Sequence, residues 1–152
     1  MMKFAALLLC VAALGCAAGG PATLSPSVSI SQVSKVDPLR IAVLPLDSTV
    51  PHGVPVDYEI KVTNPFDYPL SLTSVEVETV GASGAYSMKR VRHAFAMTIN
   101  PRSAAVLPIR AWVQPLQDTD AGDVNGPVTV RGTASFASEG GAIKTGFAAR
   151  VQ

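Results

Sequence analysis

The sequence predicts an all-β protein, a single antiparallel β-sandwich of seven or eight strands that follows a cleaved signal peptide. Apolar side chains recur at every second position over most of the chain after residue 26, which is the period of a half-buried strand. Short segments rich in Gly, Pro and Asn separate these runs, as turns separate antiparallel strands. After residue 16 no window shows an apolar stripe with the 3.6-residue period of a helix. This pattern is typical of an immunoglobulin-like sandwich.

The clearest alternation lies in residues 54–62, where aliphatic and aromatic side chains at even positions alternate with mostly polar ones. Four further runs show the same period: 95–99, 107–113, 128–136 and 143–151. We expect Tyr58 to face inward and the rings of Phe95, Phe136 and Phe147 to meet it between the two sheets. Weaker candidate strands are 28–33, 40–46 and 70–80. In the last of these the apolar phase changes between Leu72 and Val75, which predicts a β-bulge.

The amino-acid composition argues against some classes of protein. The chain has 152 residues, of which 48% are hydrophobic and 15% are charged, against roughly 25% charged residues in an average globular domain. This length predicts one domain, and the hydrophobic content argues against a disordered chain. Because 12 basic residues face 11 acidic ones, we expect no binding to nucleic acid, which needs a basic excess.

The N-terminus has the pattern of an export signal. Lys3 precedes an apolar run, residues 4–15, which is too short to cross a bilayer and has the length of a signal-peptide core. The run ends in Ala12-Ala13-Leu14-Gly15-Cys16, which resembles the bacterial lipobox, with Ala13 where Leu is more usual. This resemblance implies that the thiol of Cys16 takes a diacylglyceryl group and that the chain is cut before it.

The domain organisation follows from this interpretation: signal peptide 1–15, flexible tether 16–26 and β-sandwich domain 27–152. The alternative is an ordinary secretory signal in which Cys16 is incidental. The cysteine count favours the lipobox, because loss of Cys10 with the signal leaves one thiol, which would be odd unmodified in an oxidising compartment. We therefore expect a membrane partner through the lipid anchor, in the cell envelope. Ala17 permits sorting to the periplasmic side of the outer membrane in a Gram-negative host.

Three segments of the chain resemble the WHy domain of the late-embryogenesis-abundant (LEA) proteins. Residues 62–72 contain Asn64-Pro65 before an aliphatic strand, as in the Asn-Pro-Asn segment of that domain, with Phe66 in place of its second Asn. Residues 99–109 are similar to its segment with Pro and a small residue before an aliphatic strand, and residues 130–136 to its late Gly-containing strand. The resemblance implies a β-sandwich linked to desiccation or stress tolerance, without established catalysis. An unrelated immunoglobulin-like sandwich is the alternative.

No catalytic or metal site is predicted. The segment 118–126 alternates carboxylates as a calcium loop does, but Gly122 and Asp123 stand in the reverse of the EF-hand order, so we interpret it as an acidic loop. His52 and His93 are the only imidazoles, and neither has a Cys or carboxylate at metal-site spacing. There is no Gly-x-Ser-x-Gly elbow. We expect no cofactor and no enzyme activity, and a hydrolase using either His is the least favoured hypothesis.

Three residues are candidates for binding. Trp112 lies on the polar phase of its predicted strand, where it is either an outward contact residue, since Trp is enriched at binding hot spots, or covered by a loop such as 118–127. Arg90 and Arg92 would share one face of a strand, either as a solvated edge or as a contact for acidic envelope polymers or lipid headgroups. The leading hypothesis is a lipid-anchored envelope protein that binds or protects. The alternative is a subunit that binds a protein partner within an envelope assembly.

Overall fold

The computed structural model describes residues 24–34, 53–81, 84–115 and 126–151. The eight strands are β1 (Ser27–Gln32), β2 (Val54–Thr63), β3 (Leu70–Thr79), β4 (Tyr86–Ser87), β5 (Val91–Ile99), β6 (Ala104–Pro115), β7 (Val128–Ser138) and β8 (Gly141–Val151). The predicted all-β sandwich and its strand number are confirmed. Within the described ranges no helix is long and apolar enough to cross a membrane. The predicted strand 40–46 and the segment 1–23 lie outside these ranges.

The strands form two four-stranded antiparallel sheets. Sheet A has the order β1-β2-β6-β4, and sheet B has the order β5-β3-β7-β8. The edge strands β1 and β8 lie side by side, so the two sheets adjoin along that side of the sandwich. This arrangement gives each sheet one inner face and one outer face, as the period-two pattern requires.

The strand register defines two ends of the sandwich. At one end lie the segments 64–69, 100–103 and 139–140, and β1 begins there because Ser27 pairs with Thr63. We call this the Asn64 end. At the other end β2 begins at Val54, which pairs with Val113, next to Trp112. We call this the Trp112 end.

The inner faces carry the side chains that the alternation assigns to the core. Tyr58 and Ile60 have no exposed surface, and Phe136 is 1% exposed. Phe147 is also buried, because its edge strand β8 has β1 beside it. Phe95, which we expected to join these aromatic rings, is only half-buried on β5, the other edge strand of sheet B. Most core side chains belong to the inner strands β2, β3, β6 and β7.

The predicted bulge is present in β3. The pairing of β3 with both of its neighbours shifts between Leu72 and Ser74. Thr73 points outward there, and its hydroxyl donates to the carbonyl oxygen of Ser135 at 2.9 Å. The extra residue changes the phase of the strand, so that Leu72 and Val75 both face the core.

A glycine in β7 permits close packing in sheet B. A Cβ atom on Gly132 would overlap the carbonyl oxygen of Glu76 and the ring of Phe147. The ring of Phe147 therefore fills the space that a side chain at position 132 would occupy. Close packing against Phe147 thus explains why a glycine stands within the run 130–136.

A buried amide ties together the two loops at the Asn64 end. Asn64 has no exposed surface, and its Nδ2 lies 2.9–3.1 Å from the carbonyl oxygens of Tyr68, Ile99 and Asn100. Its Oδ1 accepts from the N–H of Phe66 at 3.0 Å. The amide thus satisfies backbone groups of the β2–β3 loop and of the β5–β6 turn together, and its bond to the carbonyl oxygen of Ile99 is buried.

We predict that Asn64→Ala lowers the free energy of unfolding by roughly 2–3 kcal/mol, because it leaves buried carbonyl groups without donors. Urea melts of the chain from residue 24 measure this change. Asn100→Ala is the matched control, since the side chain of Asn100 is exposed and the amide network uses only its carbonyl. Equal destabilisation by both variants would show that the side-chain amide of Asn64 does not hold the loops.

Candidate functional site

Trp112 lies on the outer face of sheet A, as the strand phase predicts. Its side chain is 45% exposed, while the neighbouring Ala111 and Val113 are buried. On β2 the residue opposite Trp112 is Pro55, which presents a rigid apolar ring. A large exposed indole on a flat strand pair is the kind of side chain that anchors protein contacts.

An ion pair lies next to Trp112 on the same face. Arg110 donates from Nε and Nη2 to the two carboxylate oxygens of Asp57, at 2.7 and 3.1 Å. This bidentate pair holds the pKa of Asp57 below its ordinary value. A shallow cavity of about 490 Å³ adjoins it, lined by Val33, Asp57, Tyr58, Glu59, Pro108, Ile109 and Arg110. The indole, the ion pair and the cavity together form one candidate surface, which we call the Trp112 surface.

The other candidate residues, Arg90 and Arg92, lie on the outer face of sheet B. Arg90 immediately precedes β5 and binds Glu78 of β3 with two hydrogen bonds of 3.1 Å. Arg131 of β7 reaches the same carboxylate at 2.7 Å, and Arg92 lies 3.9 Å from Glu76. The hydrogen bond from Arg90, and then that from Arg131, lower the pKa of Glu78. The two candidate arginines thus share a face, as predicted, and each faces a carboxylate on the neighbouring strand.

The two outer faces differ in charge. Outward charged residues on sheet A are Asp57, Glu59, Lys61 and Arg110. Those on sheet B are Glu76, Glu78, Arg90, Arg92, Arg131, Lys144 and Arg150. Sheet A is therefore balanced and sheet B carries an excess of basic groups, although most of its arginines are paired with glutamates. The sequence total, which is nearly neutral, conceals this difference.

Buried hydroxyl groups form a chain that sequence reasoning missed. Tyr86 donates its proton to Oε1 of Gln32 at 2.7 Å, so Tyr58, whose hydroxyl lies 2.7 Å from that of Tyr86, donates to Tyr86. Burial, followed by the hydrogen bond to Tyr86, raises the pKa of Tyr58. The two-residue strand β4 brings Tyr86 to this position, and such a short strand has no periodicity to reveal it. These hydrogen bonds link β1, β2 and β4 on the inner face of sheet A.

His93 is not arranged as a catalytic base. It lies on β5 with its ring turned inward, and its Nε2 is buried without a hydrogen-bond partner. Burial lowers its pKa. His52 and the acidic loop 118–125 lie outside the described residues, and so does Cys16. Among the described residues no group of three or more His, Cys, Asp or Glu side chains could hold a metal ion.

Comparison with known proteins finds solved structures with a similar fold. No protein-family model and no curated sequence matches the chain. A solution structure of a protein assigned to the LEA group is similar over 82% of this chain and 68% of that chain, at 12% identity and a TM-score of 0.51. Weaker likenesses are to a protein from Archaeoglobus fulgidus (11% identity, 82% of this chain and 91% of that chain, TM-score 0.47) and to a FixG-related protein from Vibrio parahaemolyticus (14%, 84% and 96%, TM-score 0.38). The domain thus has an LEA-like β-sandwich fold.

The order of donors in the hydroxyl chain predicts unequal effects of two similar variants. Tyr86→Phe leaves the hydroxyl of Tyr58 and the amide oxygen of Gln32 without partners, so we expect a loss of roughly 2–3 kcal/mol of unfolding free energy. Tyr58→Phe keeps the bond from Tyr86 to Gln32 and should cost about 1 kcal/mol. Denaturant melts of both variants make the measurement. A larger loss for Tyr58→Phe would reverse the donor order.

The buried imidazole predicts a pH dependence of stability. The pKa of His93 in the folded protein lies below its ordinary value of 6.5, so the unfolded chain takes up a proton first as the pH falls. The contribution of His93 to the free energy of unfolding should be complete above about pH 7 and should decrease as the pH falls from about 7 to 5. The lowered pKa values of Asp57 and Glu78 affect the free energy of unfolding at more acidic pH.

His93→Phe should flatten this slope, because an apolar ring replaces the imidazole at an inward position. Melts at a series of pH values compare it with wild type, and His52→Gln serves as the control for the other imidazole. An unchanged slope in His93→Phe would mean that His93 titrates alike in both states.

Proposed function

We propose that the protein is a membrane-anchored lipoprotein of the cell envelope, whose β-sandwich acts by binding or protection and not by catalysis. The observation that carries the proposal is the lipobox-like segment that ends at Cys16, which the ten residues 17–26 separate from the start of β1. Two or three acyl chains on one cysteine hold a protein stably on a membrane, because each buried CH₂ contributes about 0.8 kcal/mol.

The electrostatics of the outer faces support a non-catalytic role. The three carboxylates of Asp57, Asp67 and Glu78 each accept two hydrogen bonds from an arginine, and their pKa values are lowered. A carboxylate held in its ionised form by an arginine is a weak base. These groups are therefore better suited to holding strands together and to presenting charge than to moving protons.

A protective role in drying or other stress is the finer part of the proposal. The LEA-like fold supports it, because the solved LEA protein shares the same β-sandwich. A deletion strain should then survive desiccation less well than its parent, and expression of the full chain should restore survival. Unchanged survival would remove the protective role and leave the anchor to be judged separately.

The anchor itself makes a direct prediction. The wild-type chain should incorporate a palmitate analogue during growth and should fractionate with membranes, and Cys16→Ser should lose both properties. Cys10→Ser is the matched control, because it removes the other thiol within the apolar run and should leave labelling intact. Labelling that persists in Cys16→Ser would show that Cys16 is not the acylated residue.

A second candidate function is that of a partner-binding subunit, which the exposure of Trp112 favours. A photo-crosslinking amino acid placed at Gln114, which is exposed next to Trp112 on the same face of β6, should then capture one stoichiometric partner in intact cells. The control is the same amino acid at Val106, which is 56% exposed on that face. Trp112→Ala in the Gln114 crosslinking chain should weaken capture at a stability cost below about 1 kcal/mol, because the side chain is exposed. No capture at 114, or equal capture at 106, would count against this function.

A further inference from the structure

The Asn64 end carries exposed apolar and aromatic side chains. The rings of Phe66 and Tyr68 stack with centroids 4.8 Å apart and planes 9° apart, and Tyr68 is 38% exposed. Leu24, three residues before β1, is 58% exposed. The segments 64–69, 100–103 and 139–140 that form this end are all among the described residues. The aromatic pair is therefore a surface feature of the end itself.

The aromatic pair is held on a rigid support. The amide of Asn64 binds both loops, and the N–H of Arg102 donates to the carbonyl oxygen of Phe66 at 3.0 Å. The guanidinium of Arg102 binds both carboxylate oxygens of Asp67, at 2.6 and 3.0 Å. The charges of Asp67 and Arg102 neutralise one another, which leaves Glu139 as the remaining charged residue of these segments. The loop that carries the rings is held in place before any contact, which reduces the entropy lost on binding.

The length of chain before β1 restricts how a lipid anchor could orient the domain. The tether from Cys16 to Ser27, where β1 begins, can span at most about 40 Å when fully extended. The 12 residues of β6 extend about 37 Å, so only a fully extended tether would let the Trp112 end reach the membrane with the strands upright. Since β1 begins at the Asn64 end, this end is the one that an anchor at Cys16 holds nearer to the bilayer.

We propose that in the anchored protein the Asn64 end contacts the lipid bilayer, with Phe66 and Tyr68 in the headgroup layer and the Trp112 surface directed away. The inference rests on the proposed function, since it needs the anchor at Cys16. The ring of Tyr68, which has an apolar body and a polar tip, favours the membrane–water interface, and the ring of Phe66 adds apolar area beside it. The tether joins the domain at this end, where the ion pair of Asp67 with Arg102 leaves Glu139 as the remaining charged residue, so the contact needs no anionic lipid.

The outer face of sheet B is the competing contact surface. Its excess of basic groups would attract anionic lipid, with the sandwich lying flat, and such a contact would weaken in salt. The Asn64 end instead predicts a contact that does not depend on anionic lipid. The two orientations place different residues in the bilayer, so position-specific depth measurements separate them.

The single tryptophan of the chain provides the experiment. Full-length lipidated protein is reconstituted in vesicles of phosphatidylcholine, with or without phosphatidylglycerol, in which part of the lipid carries bromine on its acyl chains. Three forms are compared: wild type with its native Trp112, the double variant Trp112→Phe/Tyr68→Trp, and the double variant Trp112→Phe/Ala148→Trp, which reports from the exposed outer face of sheet B. Flotation of the vesicles is measured in parallel.

We expect brominated lipid to quench the indole introduced by Tyr68→Trp and to leave Trp112 and the Ala148→Trp indole unquenched, in both lipid compositions. The emission of the position-68 indole should also shift to shorter wavelength. Three results would overturn the orientation if the protein still floats with the vesicles: quenching at position 148, equal quenching at all three positions, or no quenching at any of them. Each of these results would leave the anchor intact. Failure of the wild type to float would overturn the anchor and the orientation together.

Discussion

The buried amide of Asn64 is the constraint on which the two sheets depend. The chain passes from one sheet to the other through the β2–β3 loop and again through the β5–β6 turn, and Asn64 bonds to backbone groups of both. An aspartate of the same shape would present oxygens to three carbonyl groups and could donate no proton when ionised. The amide thus fixes the starts of β3 and β6 relative to the ends of β2 and β5, and the register of each strand follows from there.

Much of the fold is predictable because alternation is a local signal. The inner and outer positions of β2, β6, β7 and β8 follow directly from every second residue, and the phase change near Leu72 is visible in the sequence before its partners are known. The strand β4 was not predicted, since its two residues are held only by pairing with the end of β6. Phe95 was assigned to the core because the period cannot distinguish an outer strand from an inner one.

The candidate surface was predictable only in part, for a related reason. The outward positions of Trp112, Arg90 and Arg92 depend on strand phase, which the sequence contains. The identities of their neighbours depend on register between strands that are distant in sequence. Nothing in the chain order indicates that Arg110 meets Asp57, that Glu78 lies between two arginines, or that Tyr86 reaches Tyr58 and Gln32. Cross-strand chemistry of this kind becomes visible only when the sheets are assembled.

Charged and aromatic side chains are distributed unequally between the two ends of the sandwich. The bidentate pair of Asp57 and the pairs of Glu78 both lie in the half of the sandwich near the Trp112 end, while the loops at the Asn64 end pair Asp67 with Arg102 and expose rings. Charged surfaces guide encounter and select partners in a salt-dependent way, whereas aromatic side chains contact apolar or interfacial surroundings without that dependence. The proposed anchor at Cys16 would tether the domain at the Asn64 end and present the opposite end to the surrounding space. This distribution of side chains is what the proposed membrane contact at one end and the proposed partner surface at the other would require.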